Sequence, residues 1–159
     1  MRVLWGMLFW LVLAGVGLAS SEQPIVIEAR SLEADNKAGW VLFTGDVVAV
    51  KGKMHMSCDK MRVFTKKGKV VKIISYGNVK VVVDDKVVKA EKATYYADQD
   101  KVVFEGNPKV WQENNVVSGD VIVYYIKDGR TIVKTTHGDK VRAVIVPQEK
   151  ENAEGRGAR

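Results

Sequence analysis

Between Pro24 and Pro147 hydrophobic residues recur at every second position or in short unbroken runs, and no stretch sustains the three-to-four spacing of an amphipathic helix. Valine, isoleucine, tyrosine and threonine dominate, the residue types that suit a pleated, half-buried surface. Turn chemistry interrupts them at Asn36-Lys37-Ala38-Gly39, Lys66-Lys67-Gly68, Asp84-Asp85-Lys86, Asp98-Gln99-Asp100, Asn114-Asn115 and Lys127-Asp128-Gly129. The pattern predicts eight or nine strands, near 24–34, 40–51, 54–65, 69–83, 87–97, 101–112, 116–126 and 131–146. Several exceed the usual ~5–6 residues, so each unit reads as two long antiparallel strands joined by a tight turn.

A repeat runs through these strands. Gly45-Asp46-Val47, Gly77-Asn78-Val79 and Gly106-Asn107-Pro108 are each followed fourteen positions later by an acid, Asp59, Glu91 or Asp120. An aromatic, Phe64, Tyr96 or Tyr125, stands five beyond each acid, and Gly138-Asp139 begins an unfinished fourth copy. A period near thirty residues marks a stack of supersecondary units. The glycines fall inside strands rather than at turns, where glycine signals a bulge or a sharp bend. Bends at the same place in successive units would fold the sheet over on itself and enclose a slot. The predicted fold is therefore all-β, a twisted open β-jellyroll or β-roll of long antiparallel strands.

Alternation identifies which side chains line that interior. Ile25, Ile27 and Ala29 share a face opposite Glu28 and Arg30. Near each acid the apolar phase slips by one residue, from Met54, Met56 and Cys58 to Met61 and Val63, and from Val88 and Ala90 to Ala93 and Tyr95. Such a slip implies a second bulge. The expected interior positions are Ile25, Ile27, Val41, Phe43, Met61, Val63, Val82, Tyr95, Phe104, Ile122 and Tyr124. Each alone reads as ordinary core; the row as a whole reads as a surface that holds an apolar chain.

The ends of the chain differ from this texture. Arg2 precedes an apolar run from Val3 to Leu18, and Gly17-Leu18-Ala19 places small residues where a signal peptidase reads. Residues 1–19 are expected to be a signal peptide, with a retained membrane anchor as the alternative. The domain is expected over 20–147, and residues 148–159, without large apolar side chains, as a disordered tail.

Charge and chemistry narrow the function. The chain has 159 residues and a net charge of +6, with lysines scattered along the strands. Lysines on strand faces and edges discourage sheet-to-sheet aggregation. No linear basic cluster interleaves with aromatics, so nucleic acid is not an expected partner. The lone Cys58 cannot form an intrachain disulfide and reads as a small buried hydrophobe. His55 and His137 have no third ligand at metal spacing, and no nucleophile elbow, P-loop or zinc-protease motif occurs. Catalytic residues, metals and cofactors are thus expected to be none. The acids recur once per repeat, whereas an active site is built once, so Asp59, Glu91 and Asp120 are expected to be structural, pairing with a neighbouring lysine or hydrogen-bonding the bulged backbone.

Four stretches together resemble the OstA/LptA family of periplasmic lipopolysaccharide-transport bridge proteins. They are Gln23-Pro24-Ile25-Val26-Ile27-Glu28-Ala29, Phe43-Thr44-Gly45-Asp46-Val47-Val48, Ser118-Gly119-Asp120-Val121-Ile122-Val123-Tyr124 and Val141-Arg142-Ala143-Val144-Ile145-Val146-Pro147. Asp46 departs from the asparagine that family often has there. The resemblance implies a periplasmic, non-enzymatic carrier that takes the acyl chains of lipopolysaccharide into its interior. It also implies an inner-membrane LptC-like partner, an outer-membrane LptD-like translocon, and head-to-tail self-association. The edges that would pair are Pro24, Ile25 and Val26 at one end and Val141, Val144 and Ile145 at the other. Two other readings remain open at this point: a membrane-anchored LptC-like partner of the same pathway, and a self-assembling β-protein that carries nothing.

Overall fold

A computed structural model describes residues 23–147 as one twelve-stranded antiparallel sheet. The strands are β1 (Ile25–Glu28), β2 (Ser31–Asp35), β3 (Trp40–Lys51), β4 (Met54–Lys66), β5 (Lys69–Val83), β6 (Lys86–Tyr96), β7 (Lys101–Glu105), β8 (Lys109–Gln112), β9 (Asn115–Ser118), β10 (Val121–Tyr125), β11 (Thr131–Lys134) and β12 (Arg142–Val144). The segments 1–19 and 148–159, read above as signal peptide and tail, lie outside the described residues.

Four of the long predicted strands persist whole, β3 to β6, whereas the other four each divide in two. The division always falls on one line across the sheet. Gly45-Asp46, Gly77-Asn78 and Gly106-Asn107 lie on it, and all six residues have left-handed backbones, with φ of 86° and 44°, 76° and 47°, and 78° and 52°. Glycine enters that region freely, and asparagine and aspartate tolerate it better than other residues. The pairing register shifts at the same line, between Thr44 and Val47 on β3 and between Tyr76 and Val79 on β5. In the third copy the left-handed pair ends β7, and Pro108, which has no N–H to donate, precedes β8.

The sheet thereby folds into two layers. The first consists of β2, residues 40–44, 60–66, 69–76 and 92–96 of β3 to β6, then β7, β10 and β11. The second consists of β1, residues 47–51, 54–57, 79–83 and 86–89, then β8, β9 and β12. The Gly-Asx strands cross the hinge without changing phase, because two extra residues preserve alternation. The strands that carry the acids slip by one: on β4 the buried set runs Met56, Cys58, then Met61, Val63. The slip inferred from sequence is therefore a real bulge, between Ser57 and Lys60.

The core lies between the layers. Val47, Met56, Val79, Val81, Val88 and Ala90 come from the second layer, and Met61, Ile73, Ala93, Val102, Phe104 and Ile122 from the first. Phe104 is 1% exposed and Ile122 0%. Full burial of side chains of this size contributes roughly 1.5–3 kcal/mol each. Cys58 is buried, and that burial, the largest influence on it, raises its thiol pKa above the ordinary value.

Candidate functional site: a slot between the layers

The hinge decides where the slot lies, and each hinge glycine is covered by a side chain from the preceding strand. A Cβ at Gly77 would stand 2.4 Å from Asp59 Oδ2, and one at Gly106 would stand 2.5 Å from Glu91 Cβ. The Glu91 N–H donates to the Gly106 carbonyl at 3.1 Å, and the Asp120 N–H to Lys134 O at 2.9 Å. Asp120 Oδ2 also accepts from the Thr136 backbone N–H at 2.7 Å. Asp59 and Glu91 thus pack over the bend, and the Asp120 carboxylate hydrogen-bonds the backbone at Thr136; no ion pair with a lysine is formed by the three acids among the described residues. At the first hinge an arginine takes this place. Arg30 covers Gly45 and its guanidinium pairs with Asp46 at 2.5 Å.

Away from the hinge the layers enclose an apolar slot. Its walls include Ile25, Met54 and Met56 on the second layer and Met61, Tyr95 and Val102 on the first. A second compartment farther along is lined by Val81, Val88 and Val110 facing Phe104, Ile122 and Tyr124. The free space is small, about 50 Å³ in the first and 20 Å³ in the second. A buried hydroxyl crosses between the layers: Ser75 Oγ donates to Met56 Sδ at 3.1 Å.

The rim opposite the hinge is charged. Lys51 Nζ lies 5.5 Å from the centre of the Tyr95 ring, and Lys86 Nζ lies 5.5 Å from that of Tyr124. Each pair joins one layer to the other across the mouth. Tyr95 donates its hydroxyl to Asp100 Oδ1 at 3.2 Å. Lys69, Asp98 and Lys127 complete the outer rim around Ile25 and Gln23.

The structure brings ten of the eleven residues named from sequence to this interior. Val41, Val63, Tyr95 and Tyr124 lie on one cross-strand row that also contains Ile73 and Val102. Phe43, Met61, Phe104 and Ile122 lie on the next, with Ser75 and Ala93. Ile25 and Ile27 pair with Lys51 and Ala49 at the slot's second wall. Val82 is a correction. It pairs with His55 and Val87, one residue out of phase with the buried Val81, and so points to the outer face. The run Val81-Val82-Val83 offers no alternation from which to fix the phase. Sequence reasoning also missed Met54, Met56, Val81, Val88 and Val110 as slot walls, although the buried side of the slip at Met56 and Cys58 signalled them.

Pro24, Ile25 and Val26 lie at one end of the second layer, and Val141, Val144 and Ile145 at the other. Among the described residues β1 pairs only with β3 and β12 only with β9, so each leaves one side without a strand partner there. Among the described residues no cluster of His, Cys, Asp or Glu could hold a metal ion, and no helix is long and apolar enough to cross a membrane.

The comparisons with known proteins agree with this geometry. The profile of the LptA/(LptD N-terminal domain) LPS transport protein family matches residues 26–130. Among solved structures, LptH of Pseudomonas aeruginosa superimposes with a TM-score of 0.69 and 27% sequence identity, over 79% of this chain and 96% of that one. That protein is described as the LptA homologous periplasmic component of the conserved lipopolysaccharide transport device. No curated protein sequence matches the chain.

Proposed function

The chain belongs to the LptA/(LptD N-terminal domain) family of lipopolysaccharide transport proteins, and we propose from that premise that its slot receives lipopolysaccharide acyl chains during passage across the periplasm. The observation that carries this reading is the slot itself, an apolar interior between two layers that no element among the described residues plugs and that opens at a charged rim. Burial of alkyl groups contributes about 0.8 kcal/mol per methylene and is non-directional. A cargo held this way can slide from one site to the next without a deep trap. Lysines at the mouth suit the phosphates that such a lipid carries where its acyl chains end.

The free volume sets a condition on entry. A cavity of about 10–15 Å³ holds one water molecule, so 50 Å³ admits a few carbons of a chain and not its length. Acyl chains enter only when the layers part at the rim. Met54, Met56 and Met61 line the slot, and their unbranched, adaptable side chains can repack around a guest.

Carriage between membranes further needs continuity from molecule to molecule. The unpaired sides of β1 and β12 fit strand addition, with β12 of one copy beside β1 of the next. Such a contact is heterologous and extends the two layers, hence the slot, into a filament. The partners at its ends would be an inner-membrane LptC-like protein and an outer-membrane LptD-like translocon.

Photo-crosslinking in cells tests the proposal. A photoreactive residue at Tyr95, in the slot wall, or at Phe43, in the interior row beside Met61, should capture lipopolysaccharide, whereas one at Val82 on the outer face should not. Equal capture at all three positions, or none at the interior ones, would overturn it. Self-crosslinks at the edges with no lipid at Phe43 or Tyr95 would favour a polymerising protein that carries nothing.

A further inference from the structure

On the outer face of the second layer, beside the hinge, three lysines stand in one cross-strand row. Lys80 on β5 is directly opposite Lys89 on β6, and Lys89 is directly opposite Lys109 on β8. Ser57 precedes the row and Ser118 follows it, and Arg142 on β12 is the next residue across. All three lysines are exposed. The ammonium groups of Lys80 and Lys109 have no partner among the described residues, and Lys89 leans on the Trp111 ring at 5.7 Å.

Like charges directly opposite on neighbouring strands are destabilising, so this register works against the fold. Protection of sheet edges does not account for it, because β5, β6 and β8 are interior strands of their layer. The first layer treats its outward lysines differently. Lys72 sits over Phe64 at 4.8 Å, Lys101 over Tyr96 at 5.3 Å, and Lys92 over Tyr76 at 5.8 Å with Glu105 3.9 Å away. There each cation alternates with a ring or an acid across strands; here three cations face one another.

The row borders a groove of about 420 Å³ whose other walls include Asn78, Asn107 and Glu91. That volume lies within the ~300–1,000 Å³ of small-ligand sites. Strand spacing of ~4.8 Å puts the three lysine Cα atoms within roughly 10 Å of one another, so their long side chains can converge on one phosphate-bearing ligand. The Asn107 side-chain amide is unpaired among the described residues and can donate to a hydroxyl or phosphate oxygen. Glu91 makes no ion pair with these lysines and would repel an anion that settled close to the hinge.

We propose that the Lys80–Lys89–Lys109 row is a second binding site, for the phosphate groups of a phosphorylated saccharide. It lies on the side of the layer away from the slot and does not depend on what the slot holds. An acyl-free headgroup, or the headgroup of a lipid carried by another molecule, can reach it from solvent.

An NMR titration of the purified protein tests this, with the acyl-free glucosamine disaccharide bisphosphate as probe and inorganic phosphate as a second probe. Saturable shifts centred on the amides of Asn78, Lys89 and Asn107 are expected. Lys80→Gln/Lys109→Gln should weaken binding at least tenfold, each single substitution by an intermediate factor, and Glu91→Gln should tighten it severalfold. Weaker saturation of the same amides by inorganic phosphate would show that the sugar contributes; equal affinity would place recognition in the phosphate alone. Non-saturable shifts, shifts confined to the slot, or a double variant that titrates like the parent would overturn the proposal. Capture at Phe43 and Tyr95 is a separate measurement, so failure of one reading leaves the other standing.

Discussion

The side-chain amide of Asn78 donates to Asp59 Oδ2 at 3.0 Å, which ties the left-handed residue of one hinge to the acid that covers its glycine. The preceding hinge has Asp46 in the asparagine's place, and there the covering residue is Arg30. The residue after each of these glycines is matched in charge to whatever lies over the bend. Asp46, a departure from the family's usual asparagine, is therefore explained by Arg30.

This matching gives the first prediction. Asn78→Asp keeps a residue tolerant of positive φ but sets two carboxylates side by side. It should lower stability by about 1 kcal/mol, the scale of one net hydrogen bond, and lower the urea midpoint accordingly. Adding Asp59→Asn should restore most of the loss, and an additive double variant would refute the coupling.

The glycines themselves can be ranked. Alanine at Gly68, where φ is 74° and nothing lies within 4 Å, should cost only the left-handed strain of ~1–2 kcal/mol. Gly106→Ala meets Glu91 Cβ at 2.5 Å in addition, an overpacking that typically adds ~1–3 kcal/mol. Only Glu91→Gly removes the offending atom; Glu91→Ala should leave the clash in place. Chemical denaturation of the single and double variants checks the order.

Much of this architecture could be read from the chain because it depends on short-range rules. Glycine followed by Asp or Asn inside a valine-rich run demanded a bend, and the slip between Cys58 and Met61 demanded a bulge. The rows through Val41 and Phe43 followed from period two. The splitting of the predicted strands at 24–34, 101–112, 116–126 and 131–146 did not follow, because the same Gly-Asx signal leaves β3 and β5 continuous and so does not tell a bend within a strand from a break between two. Val82 was misplaced where consecutive valines erase the alternation. The lysine row was invisible for a different reason: Lys80, Lys89 and Lys109 become neighbours only through register, which a linear charge count cannot supply.

The mouth of the slot yields the next prediction. Lys51 over Tyr95 and Lys86 over Tyr124 join the layers at the rim where the proposed guest would enter. An exposed cation–π contact is worth ~0.5–1 kcal/mol, which corresponds to roughly a two- to fivefold change in the open population. Lys51→Gln should raise the association rate of a fluorescent fatty-acyl probe by about that factor while leaving the fold unchanged. A slower or unaltered rate would mean that the layers part elsewhere.

Acid sensitivity should appear at the last hinge. The Thr136 backbone N–H, first among its influences, holds the Asp120 carboxyl below its ordinary 3.8, with further help from the Thr136 hydroxyl and His137. A carboxylate whose folded pKa is depressed contributes stability that is present above the unfolded value and lost as pH falls through the folded one. Stability should therefore drop below about pH 4, and Asp120→Asn should remove this part of the pH dependence while lowering stability at pH 7. Urea midpoints measured between pH 6 and pH 2 would show a flatter profile for the variant; an identical slope would exclude Asp120 as its source.

The proposed head-to-tail joint places the contact at the two ends of the sheet. At the C-terminal end Val144 and Ile145 are exposed beside the open side of β12, Ile145 to 71%, and at the other end Val26 is exposed on β1. Charge on an edge strand opposes strand addition because it must be desolvated as the backbones pair. Val144→Lys/Ile145→Lys should leave a folded monomer and abolish concentration-dependent growth in light scattering. Val26→Lys should do the same from the opposite edge. If molecules join head to tail as proposed, the contact is heterologous, and the two variants differ from the variants of a two-fold dimer when mixed. The β12 variant retains a good β1 edge and the β1 variant retains a good β12 edge, so together they can form one joint and then stop. Sedimentation of the mixture should show dimers and nothing larger. Monomers alone would indicate that both edges meet in a symmetric contact, and long oligomers would show that the growing interface lies elsewhere on the molecule.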